Sequence, residues 1–222
     1  MSLAIDEFVA TIARLRAPGG CPWDQEQTHR SLRICLMEEV AELLETIDKD
    51  DYVHMREELG DLLLQVVMHA QMAAERGEFT LDDVAREVNA KMVRRHPHVF
   101  GDASAKDSEA VLRQWDEIKV REKKPGPTSD VPLFKALPPE LPLLLKAREV
   151  WKAVRKGKID LPAAFATRAD LEARAVGLNE ERAGAELFAW VAACQEAGID
   201  PESALRCHVA KVVENARLSA KA

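Results

Sequence analysis

The chain has 222 residues, with 31 Lys and Arg against 38 Asp and Glu, for a net charge of −7. An acidic balance argues against a nucleic-acid surface, which needs a basic patch to meet phosphates. No segment approaches the ~20 uncharged apolar residues of a membrane span, so neither nucleic acid nor membrane is expected as a partner.

The opening Met1-Ser-Leu-Ala-Ile-Asp6-Glu7 carries two acids and no apolar core, unlike a secretory leader. Helical periodicity then dominates, with no alternating strand pattern against it. The spacing predicts a first helix over residues 4–15. It ends at Ala17-Pro18-Gly19-Gly20, a loop that runs on to Trp23 and Asp24. A second helix is predicted over 28–48, and a third from a cap at Asp50 or Asp51 to Arg76-Gly77. Thr80-Leu-Asp-Asp83 reads as a capping box that opens a fourth helix, which stops before His96-Pro97. Ser108 caps a fifth helix ending near Lys124, where Glu122-Lys-Lys124 reads as a solvated end. A Pro-rich linker over 125–140 follows, and the pattern after it is helical again.

The two halves look related. Gly60-Asp-Leu-Leu-Leu-Gln-Val-Val67 aligns with Gly184-Ala-Glu-Leu-Phe-Ala-Trp-Val191, and Arg86-Glu-Val-Asn-Ala-Lys-Met-Val93 aligns with Arg206-Cys-His-Val-Ala-Lys-Val-Val213. This reads as a decayed internal repeat, although helical periods resemble one another by chance.

Acids concentrate in one stretch. From Glu38 to Asp61 there are ten acids against Lys49 and Arg56, a local sum of −8. On the second helix this reads as a wet side: Glu38, Glu42 and Glu45 lie opposite an apolar arc of Leu36, Val40, Leu43, Leu44 and Ile47, with Glu39 at its border. The third helix reads differently. From Leu59 to Ala73 ten of fifteen positions are apolar and surround the cylinder, so the helix should be buried. Glu58 and Asp61 stand one turn apart on it, with no Lys or Arg between Glu58 and Glu75. Buried carboxylates must be protonated, paired or bound to a cation. Glu39 and Glu42 from the second helix would complete a four-carboxylate cage, and an all-oxygen ligand set selects a hard cation, Mg²⁺ or Mn²⁺. A phosphate-bearing substrate then needs cations, which the fourth helix offers in Lys91, Arg94 and Arg95, with Asn89 one turn earlier. The fifth helix offers Trp115 and Lys119, four apart on one face, able to stack a base and hold a phosphate.

Cys21-Pro-Trp-Asp24, Gln27-Thr-His29, Glu38-Glu-x-x-Glu42, Glu58-Leu-Gly-Asp-Leu62 and Arg94-Arg-His-Pro-His-Val-Phe100 together resemble the MazG nucleoside triphosphate pyrophosphohydrolases of the all-α NTP pyrophosphatase superfamily. The resemblance covers residues 5–124. It implies an all-α, MazG-like fold whose active site lies in a four-helix bundle, a homodimer, and cleavage of a nucleoside triphosphate to the monophosphate and diphosphate, clearing unwanted nucleotides. By position, Glu39, Glu42, Glu58 and Asp61 would hold Mg²⁺, Glu38 would help bind a second metal or orient the attacking water, and Glu38 and Glu39 would be the catalytic pair. Asn89, Lys91, Arg94, Arg95, Trp115 and Lys119 would bind the substrate.

Residues 1–124 are thus expected to form the catalytic domain and 141–222 a degenerate copy. In that copy Arg182 stands at the place of Glu58, Ala185 at Asp61, Val209 at Asn89 and Asn215 at Arg95, and no Glu-Glu-x-x-Glu follows the linker. The alternative is a nucleotide-binding or scaffold protein that keeps the Mg²⁺ cage without turnover. Cys21, Cys35, Cys194 and Cys207 lack metal or disulfide spacing, which fits a reducing cytoplasm. His29, His54, His69 and His208 are expected as helix-surface or core residues, and His96-Pro-His98 as a loop.

Overall fold

A computed structural model describes residues 3–122, 137–156 and 168–219. Residues 125–136 of the expected linker lie outside these. Among the described residues every regular element is an α-helix, so the chain is all-α. It divides into two compact units, Met1–Lys124 and Pro125–Ala222. No helix among the described residues is long and apolar enough to cross a membrane.

The first unit begins with α1 (Leu3–Arg16) and a single turn, α2 (Pro22–Glu26). α2 falls in the stretch that the sequence predicts as a loop, because five residues carry too little periodicity to register. Between the two helices the chain folds back on itself. Cys21 N–H donates to the Leu15 carbonyl at 2.8 Å, and a Cβ at Gly20 would collide with that same carbonyl, so only glycine fits there.

α3 (Arg33–Asp48) starts five residues later than the periodicity predicts. Thr28 and Ser31 exchange hydrogen bonds, each backbone N–H donating to the other's hydroxyl at 2.9 and 3.1 Å. This local exchange holds a turn where a helix was expected. α4 (Tyr52–Ala74) returns antiparallel to α3 after a three-residue connection. Asp51 caps it by accepting the N–H groups of Val53 and His54. Asp50, in the same connection, has φ +51°, the left-handed region that non-glycine residues seldom occupy.

α4 is the hub of this unit, packing on α1, α3 and α5. Its Val67, Met68 and Met72 form the core with Ile12 and Leu32, joined by Phe8, Leu15, Cys35 and Leu81. At its far end the Arg16 guanidinium donates two 2.8 Å bonds to the Glu75 carboxylate and others to the carbonyls of Asp24 and Gln27. This pins α1, α2 and α4 together.

α5 (Leu81–Arg95) opens with the capping box the sequence predicts, Thr80 and Asp83 bonding reciprocally. The single turn α6 (Pro97–Phe100) replaces the loop expected at His96-Pro-His98, and α7 (Ser108–Glu122) packs back on α5.

Burial corrects two expectations. α4 is not covered all round: Leu59, Leu63 and Val66, a stripe at i, i+4 and i+7, lie open at 36–52% exposure. The apolar arc of α3 is open as well, at Leu36, Val40, Leu44 and Ile47, while Glu39 sits half-buried. The periodicity located the arc correctly; it carried no information about which face meets α4.

In the second unit α8 (Leu143–Lys156) packs on α11 (Pro201–Ser219) through Val150, Val154 and Ala216. α10 (Glu180–Glu196) leans on α11, and α9 (Arg168–Ala175) precedes it. The four cysteines are free thiols.

Candidate metal centre

The α3–α4 hairpin brings acids from both helices together. One carboxylate oxygen from each of Glu39, Glu58 and Asp61 lies within 4.8 Å of the others, and all three residues are half-buried. Glu42, though exposed, hydrogen-bonds to Glu58. Three of the four residues of the expected cage, Glu39, Glu58 and Asp61, therefore meet, and Glu42 stands beside Glu58 outside that group. Glu38 is exposed on α3 and adds its charge to the field at Glu39.

The electrostatics are those of crowded like charges. Burial, followed by the charges of Asp61, Glu42, Glu58 and Glu38, pushes the Glu39 carboxyl above its ordinary value. Burial, followed by the charges of Glu42, Asp61 and Glu57 and the hydrogen bond to Glu42, does the same for Glu58. Both shifts mark sites where the ionised form lacks a counter-charge. A divalent cation supplies one, and the oxygen-only donor set suits a hard ion.

Four of the predicted substrate residues, Arg94, Arg95, Trp115 and Lys119, lie at the α5–α7 end. The Lys119 ammonium sits 5.1 Å above the Trp115 ring, and His96 meets the same ring edge-on at 5.0 Å. The buried Trp115 indole N–H has no acceptor among the described residues. Arg94 and Arg95 converge on Glu122, Arg94 Nε at 2.7 Å and Arg95 Nη2 at 2.6 Å. These bonds, Arg95 first, hold the Glu122 carboxyl down to about 2. Glu122 is thus an anchor and not the solvated end that the sequence predicts; the signal available was an acid at the last position of α7, set against two adjacent arginines at the end of α5. Asn89 and Lys91 stand exposed on α5.

Two contacts outside the predicted set matter. The His29 and His69 rings stack nearly parallel, with Nδ1 atoms 2.8 Å apart. His29 lies in the turn before α3 and not on a helix. Gln65 is 5% exposed on α4, and its side-chain oxygen has no donor among the described residues.

Residues 27–100 match the model of the MazG nucleotide pyrophosphohydrolase domain. The chain is 40% identical over 220 residues to the nucleoside triphosphate pyrophosphohydrolase/pyrophosphatase MazG of Thermotoga maritima, covering 96% of this chain and 84% of that protein. It is 42% identical over 149 residues to the nucleoside triphosphate pyrophosphohydrolase of Escherichia coli K12, covering 67% of this chain and 56% of that protein. It is 50% identical over 145 residues to the uncharacterized protein YabN of Bacillus subtilis, covering 65% of this chain and 29% of that protein. On this sequence evidence, with an all-helical fold that agrees with it, the chain belongs to the MazG family.

Proposed function

We propose that the protein is a cation-dependent nucleoside triphosphate pyrophosphohydrolase, releasing diphosphate and a nucleoside monophosphate. The observation that carries this is the convergence of Glu39, Glu58 and Asp61 within 4.8 Å. The names printed for the Thermotoga and Escherichia relatives agree with it.

Glu39, Glu42, Glu58 and Asp61 would hold Mg²⁺. When bound, that ion neutralises phosphate charge and acidifies water. Glu38, exposed beside the cluster, accepts the proton of the attacking water. Lys119 and Lys91 meet phosphate oxygens, Arg95 and Arg94 lend charge from the Glu122 anchor, Asn89 offers an amide, and Trp115 stacks on the base.

Within one chain α3 packs on α4, while α5 leans on α4 and on α7. Open apolar stripes run along α3 (Leu36, Val40, Leu44), α4 (Leu59, Leu63, Val66) and α5 (Val84, Val88, Met92). Soluble monomers seldom leave such faces bare. We therefore read the working form as a homodimer whose second copy covers them. Residues 141–222 would be a non-catalytic copy of the same unit, since Arg182 and Ala185 stand at the places of Glu58 and Asp61.

The test is diphosphate release from a panel of nucleoside triphosphates with Mg²⁺, on the wild type and on Glu58→Gln. Release by the wild type and loss in the variant support the enzyme. Nucleotide binding without release by the wild type supports a sensor instead, and equal activity of the variant refutes the role given to Glu58.

A further inference from the structure

Gln65 is a glutamine where a core residue would be expected. It is 5% exposed, it lies in the middle of α4, and no group among the described residues donates to its side-chain oxygen. A buried amide oxygen left without a donor costs about 1–3 kcal/mol. An apolar residue of the same shape would avoid that cost, so the amide's presence asks for a donor that the described residues do not provide.

Its position says where that donor lies. Glu58, Asp61 and Gln65 stand at i, i+3 and i+7, inside an arc of roughly 60° at 100° per residue. Helical side chains lean toward the helix N-terminus and cover the turn before their own Cα. Gln65 therefore leans back over the turn that carries Asp61. The acids there are acceptors when ionised and cannot satisfy a carbonyl oxygen. Water in the shell of a hard cation is a strong donor, and Mg²⁺ and Mn²⁺ retain several such waters.

We propose that Gln65 is a positioning residue of the cation site, its side-chain oxygen accepting a hydrogen bond from a water in the cation's shell. This rests on the reading of Glu39, Glu58 and Asp61 as cation ligands. With an ion held by those carboxylates, the amide would tether its water shell from the buried side of α4. Outer-shell partners of this kind change metal affinity by about 10- to 100-fold.

The experiment compares the wild type, Gln65→Leu and Gln65→Glu on the full chain. Mn²⁺ alone is the probe, its affinity read by calorimetric titration and by the electron paramagnetic resonance signal of free Mn²⁺. Thermal unfolding of each metal-free protein is measured alongside. Gln65→Leu should bind Mn²⁺ about 10-fold more weakly or worse, with a metal-free midpoint equal to or above that of the wild type. Gln65→Glu keeps an acceptor and should bind within a few-fold of the wild type. Unchanged Mn²⁺ affinity in a folded Gln65→Leu overturns the proposal, as does a lower metal-free midpoint with unchanged affinity, which would assign the oxygen to an internal structural water. Should Gln65→Leu fail to fold, weak binding by a folded Gln65→Glu overturns it and retained binding upholds it. Absence of Mn²⁺ binding by the wild type overturns the carboxylate reading itself, and is thereby distinguishable.

Discussion

His29 and His69 face each other at 2.8 Å between Nδ1 atoms, a separation that accommodates one proton between them and no second. The pair fastens the turn before α3 to the middle of α4. Burial, and then the charge of His29, lowers the pKa of His69. A depressed histidine contributes stability that is present above its unfolded value of about 6.5 and is lost as pH falls through the folded value. Thermal midpoints should therefore drop between pH 7 and pH 5. His69→Gln should flatten that part of the profile, as followed by circular dichroism.

The carboxylate cluster has the opposite sign. Glu39 and Glu58 are raised above 4.5, so their contribution is full below that value and is lost as pH rises through the folded values. At pH 8 the metal-free fold carries like charges that a divalent ion relieves. Mg²⁺ or Mn²⁺ should raise the unfolding temperature more at pH 8 than at pH 5. Glu58→Gln should raise the metal-free midpoint at pH 8 by a few degrees, abolish most of the metal-induced increase, and cut turnover by ~100-fold or more. Differential scanning fluorimetry with and without chelator checks the first two.

Lys119→Ala should weaken nucleotide binding by about 10-fold, the effect of one lost phosphate contact. Mn²⁺ affinity should stay constant, because the contact Lys119 makes is with the Trp115 ring on α7. Titration with a non-hydrolysable triphosphate analogue separates the two quantities.

Arg16 has a side chain only 7% exposed and bonds to Glu75 and to two backbone carbonyls. Arg16→Met should cost about 2–3 kcal/mol, since it strands two carbonyls and a carboxylate. That corresponds to a midpoint lower by about 5 °C or more in thermal unfolding. The Glu75 carboxyl is held low, first by the Arg16 hydrogen bond, so this contribution persists from neutral pH down and is lost only below the ordinary carboxylate range.

Val40, 42% exposed on the open arc of α3, lies in the face assigned above to a second copy. Val40→Glu should shift sedimentation from dimer to monomer while leaving helicity unchanged. A wild type that sediments as a monomer would remove the dimer from this account.

What the sequence disclosed follows the range of the forces involved. The Thr80–Asp83 capping box was readable because both partners lie within four residues. The carboxylates were readable because like charges on an apolar helix demand an explanation wherever the helix packs. The start of α3 was not, because Thr28 and Ser31 satisfy each other in a turn with the same residue types that cap a helix. Nor was the exposure of Leu59, Leu63 and Val66, since periodicity reports that a face is greasy without reporting what covers it. Gln65 was passed over because a lone amide in an apolar run has no period, and its significance rests on a missing donor that only coordinates reveal.

The left-handed Asp50 has a consequence for how this site could drift over time. It lets α3 turn into α4 within three residues, and so acts as a ruler that keeps Glu39 level with Glu58 and Asp61. One inserted residue would slide one helix by about 1.5 Å and swing it by about 100°, throwing the carboxylates out of phase while leaving every acid in place. Sequence changes that preserve all four acids yet alter the length of this bend should therefore silence the site.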